Sequence, residues 1–559
     1  MDPHTYPDRP WPLSSLTVLY TDKYLRRAYT TLQKRLLPDT TFFLGDLFDG
    51  GREWATSSSS SPEKRYKHYD DNFWFKEYTR FSRIFVDTWN DGGTQSASNP
   101  RGRKLIASLP GNHDLGFGTG IQQAVRKRFY AYFGRGNRVD VIGNHTFVSV
   151  DSLSLSAMDQ PDPNTGSSGT AAGEDGSKPN GKIWTPTMDF LDGVHTQKAR
   201  LETEELLVLR NQGEGAAFRS GVFSPEESTM HDKNKIKAPK FPTILLTHVP
   251  LYRKPATPCG PLRERYPPSS TDPLPEEDDR NALKIQGGYQ YQNVLTPKIS
   301  KELVSTVGPE LVHVYSGDDH DYCEVTHREY SGSPKEITVK SLSWAMGIRR
   351  PGFLLTSLWN PLDVDTGKPT GELGSSPTLQ NHLCLLPDQL SIFIRYACLL
   401  VLTILLLLIR SIFLVFFTRD KASSESEEVL PSFEYHQVNS KSASSTMSSS
   451  SSSASSEKRV ASRGSFYQQE TFRSAKSIQV IAEPDDNNAS RTPQRYRNRK
   501  PLSIDVNNTR WKSKTISSHR QRRVCFDGSL GLIIAEFLYS VIYVWTVVIV
   551  YYIWLMWKW

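Results

Sequence analysis

Residues 41–51, TFFLGDLFDGG, form a short run of β-branched and aromatic residues that stops at Gly45 and delivers Asp46 into a glycine-rich turn. Such residues favour a β-strand, and the end of a strand is where an α/β protein places its chemistry. A second carboxylate, Asp49, follows three residues later, before the pair Gly50-Gly51. Taken alone, the pattern also fits an ordinary turn.

Three later stretches repeat the arrangement of an apolar run that empties into a polar turn. They are KLIASLPGNHD (104–114), PTILLTHVPLYR (242–253) and LVHVYSGDDHDYCE (311–324). One histidine after a strand is ordinarily structural, but four such strand ends in one chain indicate a shared site. Two neighbouring divalent ions need a bridging anionic oxygen together with imidazole, amide and carboxylate ligands, and these turns carry that set of groups.

The order and chemistry of the four turns resemble those of the calcineurin-like metallophosphoesterases, over roughly residues 38–353. The resemblance implies a β-sandwich flanked by helices, within the α/β class, and two divalent metal ions. Asp46 would bridge the ions, and His113 would stabilise or protonate the leaving oxygen while Asp49 orients its imidazole. The implied metal ligands are Asp46, Asn112, His248 and Asp318 around one ion, and Asp46 and His320 around the other.

The last of these motifs departs from the commonest family form, which is G-H-x-H. This chain has Gly317-Asp318-Asp319-His320, so a carboxylate replaces an imidazole. The exchange adds negative charge and favours harder ions, such as Mn2+ or Mg2+, over Zn2+. Of these two ions, Mn2+ is the one that the family resemblance implies.

Longer strings narrow the resemblance to the fungal cell-division-control type of membrane phosphoesterase, which is related to the mammalian enzyme that remodels GPI anchors. These strings are GDLFDGGR (45–52), LPGNHD (109–114), SGDDHDYCE (316–324) and WAMGIRRPGF (344–353). The resemblance implies a phosphodiesterase that removes ethanolamine phosphate from a mannose of the GPI glycan. Its substrates would be GPI-anchored proteins or the GPI lipid, in the membrane of the endoplasmic reticulum or Golgi.

The charge of the chain is concentrated in one segment. The formal net charge is +7, and residues 418–528 carry 19 basic and 12 acidic residues, which leaves 48 of each sign elsewhere. A catalytic region without excess positive charge argues against nucleic acid as a partner. The five cysteines include no C-x-x-C pair, which excludes a zinc ribbon. One lumenal disulfide is possible among Cys259, Cys323 and Cys384, and the sequence assigns no pairing.

Hydropathy divides the chain into four parts. We predict a metallophosphoesterase domain over residues 1–385 with a disordered insertion at about 156–182, a transmembrane helix over 390–417, a disordered basic Ser-rich loop over 418–528, and a transmembrane helix over 529–557. Both apolar runs exceed the ~20 residues that span the hydrocarbon core of a bilayer. Lys and Arg cluster in the loop beside both spans, so the positive-inside rule predicts a cytosolic loop and a lumenal catalytic domain.

The beginning of the chain lacks two features that the resemblance implies, a membrane anchor and a first strand ending in a ligand aspartate. Asp2 and His4 match the ligand pattern D-x-H, but no strand precedes them to hold them. We interpret them as mimics and expect an N-terminally truncated sequence, which would also explain how a lumenal domain lost its translocation signal. The alternative functions are a catalytically impaired membrane scaffold and a membrane-bound protein phosphatase.

Periodicity and composition place the remaining elements. Residues Gly116, Gly118 and Gly120 mark a flexible rim after the Asn112-His113 turn. Helices are predicted over residues 16–37, 69–89, 121–133 and 197–212, and strands over 139–151 as a pair, 324–329 and 336–342.

Overall fold

The chain folds as two units, Met1–Leu400 and Val401–Trp559. The computed structural model describes residues 13–91, 103–159, 181–211, 219–222, 239–288, 290–370, 378–424 and 529–558. Asp2 and His4 lie outside these ranges.

Fifteen strands are found among the described residues, and the larger ones form two layers. The strands are β1 (Thr40–Phe42), β2 (Lys104–Ile106), β3 (Arg138–Ile142), β4 (His145–Ser149), β5 (Arg219–Val222), β6 (Thr243–Leu246), β7 (Gly287–Gly288), β8 (Tyr291–Gln292), β9 (Leu311–Ser316), β10 (Cys323–Thr326), β11 (Lys335–Thr338), β12 (Gly352–Leu358), β13 (Leu362–Asp363), β14 (Lys368–Pro369) and β15 (Leu379–Leu385). The predicted strand pair at 139–151 is confirmed as β3 and β4, and those at 324–329 and 336–342 as β10 and β11.

One layer is a mixed seven-stranded sheet in the order β10-β11-β9-β6-β4-β3-β5. The pairs β11–β9, β9–β6 and β6–β4 are parallel. The pairs nearer the two edges, β10–β11, β4–β3 and β3–β5, are antiparallel. All four residues of β6 are buried, as expected of a central parallel strand that is covered on both faces.

The other layer contains the parallel pair β1–β2 and the antiparallel pair β12–β15. Phe42 of β1 stacks on Phe147 of β4 at 5.0 Å between ring centroids, and the Tyr315 hydroxyl of β9 donates to Asn381 of β15 at 2.6 Å. One apolar cluster fills the space between the layers: Leu109, Ile142, Phe147, Ile244, Leu246, Tyr315, Tyr322 and Ile337, with Phe42, Leu44, Leu354, Leu358, Leu379 and Leu383 against them. The predicted α/β fold with a sandwich of sheets is therefore confirmed.

Helices cover the sandwich and account for most of the larger apolar cluster. The predicted helices over 16–37, 69–89 and 121–133 are confirmed, the second with a π-helical turn at Ser82–Val86. The Asp70 carboxylate caps the second helix by accepting from the N–H groups of Asn72 and Phe73. The helices are α1 (Leu13–Leu36), α2 (Asp71–Phe81), α3 (Asp87–Asp91), α4 (Asn112–Leu115), α5 (Gln123–Phe133), α6 (Ser152–Leu155), α7 (Gly181–Leu209), α8 (Pro297–Val307), α9 (Gln389–Ser424) and α10 (Ser529–Lys558).

Helix α7 begins at Gly181, well before the predicted start at residue 197. The sequence does not reveal this early start, because Pro186 lies inside the helix and a proline there suggests a loop. Proline removes the N–H that would bond to the carbonyl of Lys182. The Arg126 guanidinium replaces that donor, with Nη2 at 2.7 Å from the Lys182 carbonyl and Nη1 at 2.5 Å from the Ile183 carbonyl. A side chain from α5 therefore allows the helix to begin at Gly181.

Ordered structure also reaches into both ends of the predicted disordered insertion, 156–182. Ser156–Met158 form a 3₁₀ turn with Ser156 and Ala157 buried, and α7 occupies the other end from Gly181. Residues 160–180 lie outside the described ranges.

Cys259 and Cys323 form a disulfide bond, which joins the long 251–286 loop to the first residue of β10. Cys384 is a free cysteine on β15.

Two helices are long and apolar enough to cross a membrane by length and composition, over Gln389–Phe417 in α9 and Leu530–Trp554 in α10. In the second unit, Arg410 of α9 donates through Nη1 to the Ser540 hydroxyl at 2.7 Å and lies 3.6 Å from Glu536. Residues four apart share one face of a helix, so Arg410 contacts a single polar face of α10. Helix α9 continues to Ser424, into the first residues of the predicted 418–528 loop, and residues 425–528 lie outside the described ranges.

A buried ionic cluster supports the sheet next to β9. Glu336 of β11 is fully buried and lies 2.8 Å from Arg253 and 2.7 Å from His327. It also accepts from the Ser316 hydroxyl at 2.6 Å and the Leu251 N–H at 3.1 Å. Both carboxylate oxygens are therefore satisfied, which is the condition for tolerating a buried charge.

Glu336→Ala should lower the stability of the first unit by about 3–5 kcal/mol, because it leaves the buried Arg253 guanidinium and the His327 imidazole without their anionic partner. Lys335→Ala on the same strand removes only the half-exposed ion pair with Glu324 and should cost less than about 1 kcal/mol. Denaturant unfolding of the detergent-solubilised chain measures both. Equal small effects would contradict the role of the cluster.

Candidate active site

The four polar turns found in the sequence meet at one edge of the sandwich. Strand β1 runs parallel to β2, and β6 runs parallel to β9, so the carboxyl ends within each pair lie side by side. The His248 turn makes two contacts at this edge, the first with the turn after β1 in the other pair and the second with the turn after β9 in its own pair. The His248 Nδ1–H donates to the Leu44 carbonyl at 2.6 Å, and the Gly317 N–H donates to the His248 carbonyl at 2.8 Å.

The His248 imidazole lies at the centre of the group of polar side chains. Its Nε2 is 3.3 Å from Asn112 Oδ1, 3.5 Å from Asp46 Oδ1 and 3.6 Å from Asp318 Oδ1. Because Nδ1 is committed to the Leu44 carbonyl, Nε2 is the nitrogen that faces these oxygens. Four of the five predicted ligands, one from each strand end, thus point to one place.

The remaining predicted site residues lie beside this group. His113 Nδ1 is 2.8 Å from Asp49 Oδ1, and the His113 N–H donates to Asp46 Oδ1 at 2.9 Å. His320 lies close enough to Asp46 and Asp318 for both carboxylates to favour its charged form, although burial lowers the pKa of its imidazole overall. The structure therefore brings all seven predicted site residues together.

Three of these residues have a backbone conformation that residues other than glycine rarely adopt. The φ angles are 52° at Asp46, 66° at Asp318 and 67° at His320. A non-glycine residue in this region is strained and persists where its surroundings hold it. Such outliers concentrate at functional sites, and here they fall on two of the four turns.

Close packing explains the glycines that precede these residues. A Cβ on Gly111 would lie 2.1 Å from Asp46 Oδ1 and 2.2 Å from the Asp46 nitrogen. A Cβ on Gly45 would lie 2.5 Å from His248 Nδ1, and the φ of Gly45 is 100°. No side chain fits at either position, so the glycines allow the turns to approach.

The charges in the site reinforce each other. Burial opposes ionisation of Asp46, but His248, His113 and the His113 N–H together lower the pKa of its carboxyl to about 2. Burial also opposes protonation of His248, but Asp46 and Asp318 raise the pKa of its imidazole to about 9. The site therefore holds an anionic carboxylate facing a cation, and a metal ion that used Nε2 would displace a proton.

The two adjacent aspartates of the last turn have different partners. Asp318 faces His248, whereas Asp319 accepts from Arg263 Nη1 at 2.5 Å. The assignment of Asp318 rather than Asp319 to the site agrees with this geometry.

Asp114 is a buried residue of the site that the sequence prediction did not include. Its carboxylate accepts from the N–H groups of Gly111 at 2.8 Å, Leu47 at 3.1 Å and Phe48 at 3.4 Å. It therefore ties the turn after β1 to the turn after β2. Its position as the third residue of the short helix α4 was the available signal, since an acid there reaches back to the helix N-terminus.

The donor set fits a hard divalent cation. Carboxylate and amide oxygens with imidazole nitrogen suit Mn2+, and oxygens of Asn112, Asp46 and Asp318 lie 3.3–3.6 Å from His248 Nε2. Among the described residues, no group of three or more His, Cys, Asp or Glu side chains has the arrangement of a closed metal site.

Comparisons with known proteins agree with this arrangement. No family model matches the chain. The chain is 36% identical over 393 residues to cell division control protein 1 of Saccharomyces cerevisiae, which covers 69% of this chain and 59% of the yeast protein. It is 25% identical over 386 residues to metallophosphoesterase 1 of Danio rerio, covering 68% and 74%.

Among solved structures, a dimetal phosphatase from Danio rerio matches 57% of this chain and 77% of its own, with 11% identity and a TM-score of 0.23. The chain therefore belongs to the calcineurin-like metallophosphoesterases, of the type represented by cell division control protein 1 and metallophosphoesterase 1.

Proposed function

We propose that this protein is a metal-dependent phosphodiesterase that removes ethanolamine phosphate from the GPI-anchor glycan in the secretory pathway. The observation that carries the hydrolase assignment is the convergence of Asn112, Asp46 and Asp318 on His248 Nε2. The membrane helices and the family support the substrate.

In this proposal the chain holds two divalent ions, and Mn2+ is the expected metal. Asp46 would hold both ions, and His320 would hold the second. Bound ions of this kind offset the negative charge of the phosphoryl group and activate water for attack. The ligands of the first ion are Asp46, Asn112, His248 and Asp318.

His113 carries the proton in this mechanism. Asp49 accepts the Nδ1–H of His113 at 2.8 Å, which leaves Nε2–H as the bond that can donate to the leaving oxygen. Burial lowers the pKa of His113, but Asp46 and Asp49 raise it above its ordinary value. The His113 side chain is 22% exposed, so its Nε2 is not sealed from solvent.

Two independent features support a lumenal catalytic domain. The basic residues of the 418–528 segment flank both apolar helices and assign that segment to the cytosolic side. The Cys259–Cys323 disulfide lies in the catalytic unit, and disulfides persist in oxidising compartments such as the endoplasmic reticulum lumen. Both features favour an active site on the lumenal side of the membrane.

A lipid-linked glycan suits an enzyme of this build. The chain outside residues 418–528 carries equal numbers of acidic and basic residues, which disfavours a nucleic acid substrate. A membrane tether raises the effective concentration of a membrane-bound substrate. These considerations favour the GPI lipid or GPI-anchored proteins over soluble phosphoproteins.

Asp46→Asn should remove bound metal and activity together, because the shared anionic ligand is lost. His113→Ala should retain metal and lower kcat by about 10²–10⁴-fold, because only the proton donor is lost. Metal analysis and hydrolysis of a generic phosphodiester with Mn2+ measure both. Asp363→Asn, in the β13–β14 hairpin, is the matched control. Full metal content and wild-type rate in Asp46→Asn would refute the metal assignment.

Cells that lack this protein should accumulate GPI species that carry an additional ethanolamine phosphate, and the wild-type chain should restore the normal profile while Asp46→Asn should not. Mass spectrometry of released GPI glycans measures the difference. An unchanged profile, combined with hydrolysis of phosphopeptides by the purified chain, would instead indicate a protein phosphatase.

A further inference from the structure

Gln290, which is 178 residues from Asn112 in the sequence, contacts the Asn112 side chain in the fold. The Asn112 Nδ2–H donates to the main-chain carbonyl of Gln290 at 3.2 Å. A carbonyl oxygen only accepts, so the end of the Asn112 amide that faces Gln290 must be the NH2 group. The Oδ1 end consequently faces His248 Nε2.

The Gln290 side chain fixes the position of that carbonyl. Its Oε1 accepts from the Phe117 N–H at 2.9 Å, and its Nε2 donates to the Gly120 carbonyl at 3.3 Å. One amide therefore pairs with a donor and an acceptor of the Gly116–Gly120 rim. This pairing holds Gln290 at a φ of 57°, in the left-handed region.

The glycines of the rim provide the space for Gln290. A Cβ on Gly120 would lie 2.4 Å from Gln290 Nε2, and a Cβ on Gly116 would lie 2.5 Å from Gln290 Oε1. The rim that the sequence marks as flexible thus encloses the Gln290 amide.

We propose that Gln290 is a positioning residue that orients Asn112 so that the amide oxygen is presented to the metal. The inference rests on the proposed function, because it assigns Asn112 as a ligand. Gln290 acts through Asn112 and does not itself touch substrate. An asparagine side chain without such a contact can turn either its amide oxygen or its NH2 group toward the ion. A side chain that is already oriented loses less conformational freedom when it binds an ion.

Gln290→Ala in the full chain should weaken Mn2+ binding by about 10-fold, the lower end of the loss typical when a residue that orients a metal ligand is removed. Calorimetric titration of the metal-free protein with Mn2+ measures the dissociation constant. Gln292→Ala is the matched control, because Gln292 lies in the same β7–β8 hairpin and its side chain donates to the Val294 carbonyl. Its Mn2+ affinity should stay within twofold of wild type.

The double variant Asn112→Ala/Gln290→Ala distinguishes positioning from general support of the site. If Gln290 acts through Asn112, the second substitution should add little to the loss in Asn112→Ala. A further 10-fold loss in that background, or a wild-type affinity in Gln290→Ala, would overturn the inference.

Gly120→Ala gives a second approach that leaves Gln290 itself in place. The added methyl group displaces the Gln290 amide, so Mn2+ affinity should fall as it does in Gln290→Ala, and the double variant Gly120→Ala/Gln290→Ala should be no weaker than either one. Wild-type affinity in Gly120→Ala would count against the inference. Failure of the wild-type chain to bind Mn2+ at all would refute the proposed function instead.

Discussion

The contact between the Asp46 carboxylate and the backbone of Gly111 is the constraint on which the site depends. A Cβ at residue 111 would lie 2.1 Å from Asp46 Oδ1, so the two turns interlock only with glycine there. Asp46 accepts from the N–H of His113, which lies in the same turn as Gly111. The Asp114 carboxylate joins the two turns by accepting from the N–H groups of Gly111 and Leu47. The hydrogen bond from His113 and the close approach of the Gly111 backbone therefore both hold the Asp46 carboxylate in place.

The sheets supply the second requirement, which is that distant parts of the chain end at the same edge. Strands β1 and β2 lie in one layer and β6 and β9 in the other, and apolar side chains between the layers fix the distance across which His248 meets Asp46. Strained φ angles at Asp46, Asp318 and His320 are sustained by that framework, and the buried Glu336 cluster stabilises it next to β9. Preorganisation of this kind is what a hydrolytic site requires, because the rate depends on reacting groups being held in place.

The sequence was sufficient for the part of the site that follows directly from strand ends. Apolar runs before Asp46, Asn112, His248 and Asp318 predict strands, and the ends of strands are where an α/β protein places its chemistry. Contacts between distant loops could not be predicted in this way. Neither the pairing of Cys259 with Cys323 nor the approach of Gln290 to Asn112 leaves a periodic signal, and the early start of α7 depends on Arg126, a residue of another helix.

The position of bound Mn2+ tests the central claim most directly, and anomalous diffraction at the manganese edge from crystals of the full chain grown with Mn2+ would locate it. The account predicts two peaks that share the Asp46 carboxylate, one also coordinated by Asn112, His248 and Asp318 and the other by His320. Manganese bound only elsewhere, or the Asp46 turn ordered with no ion beside it in saturating Mn2+, would contradict the account.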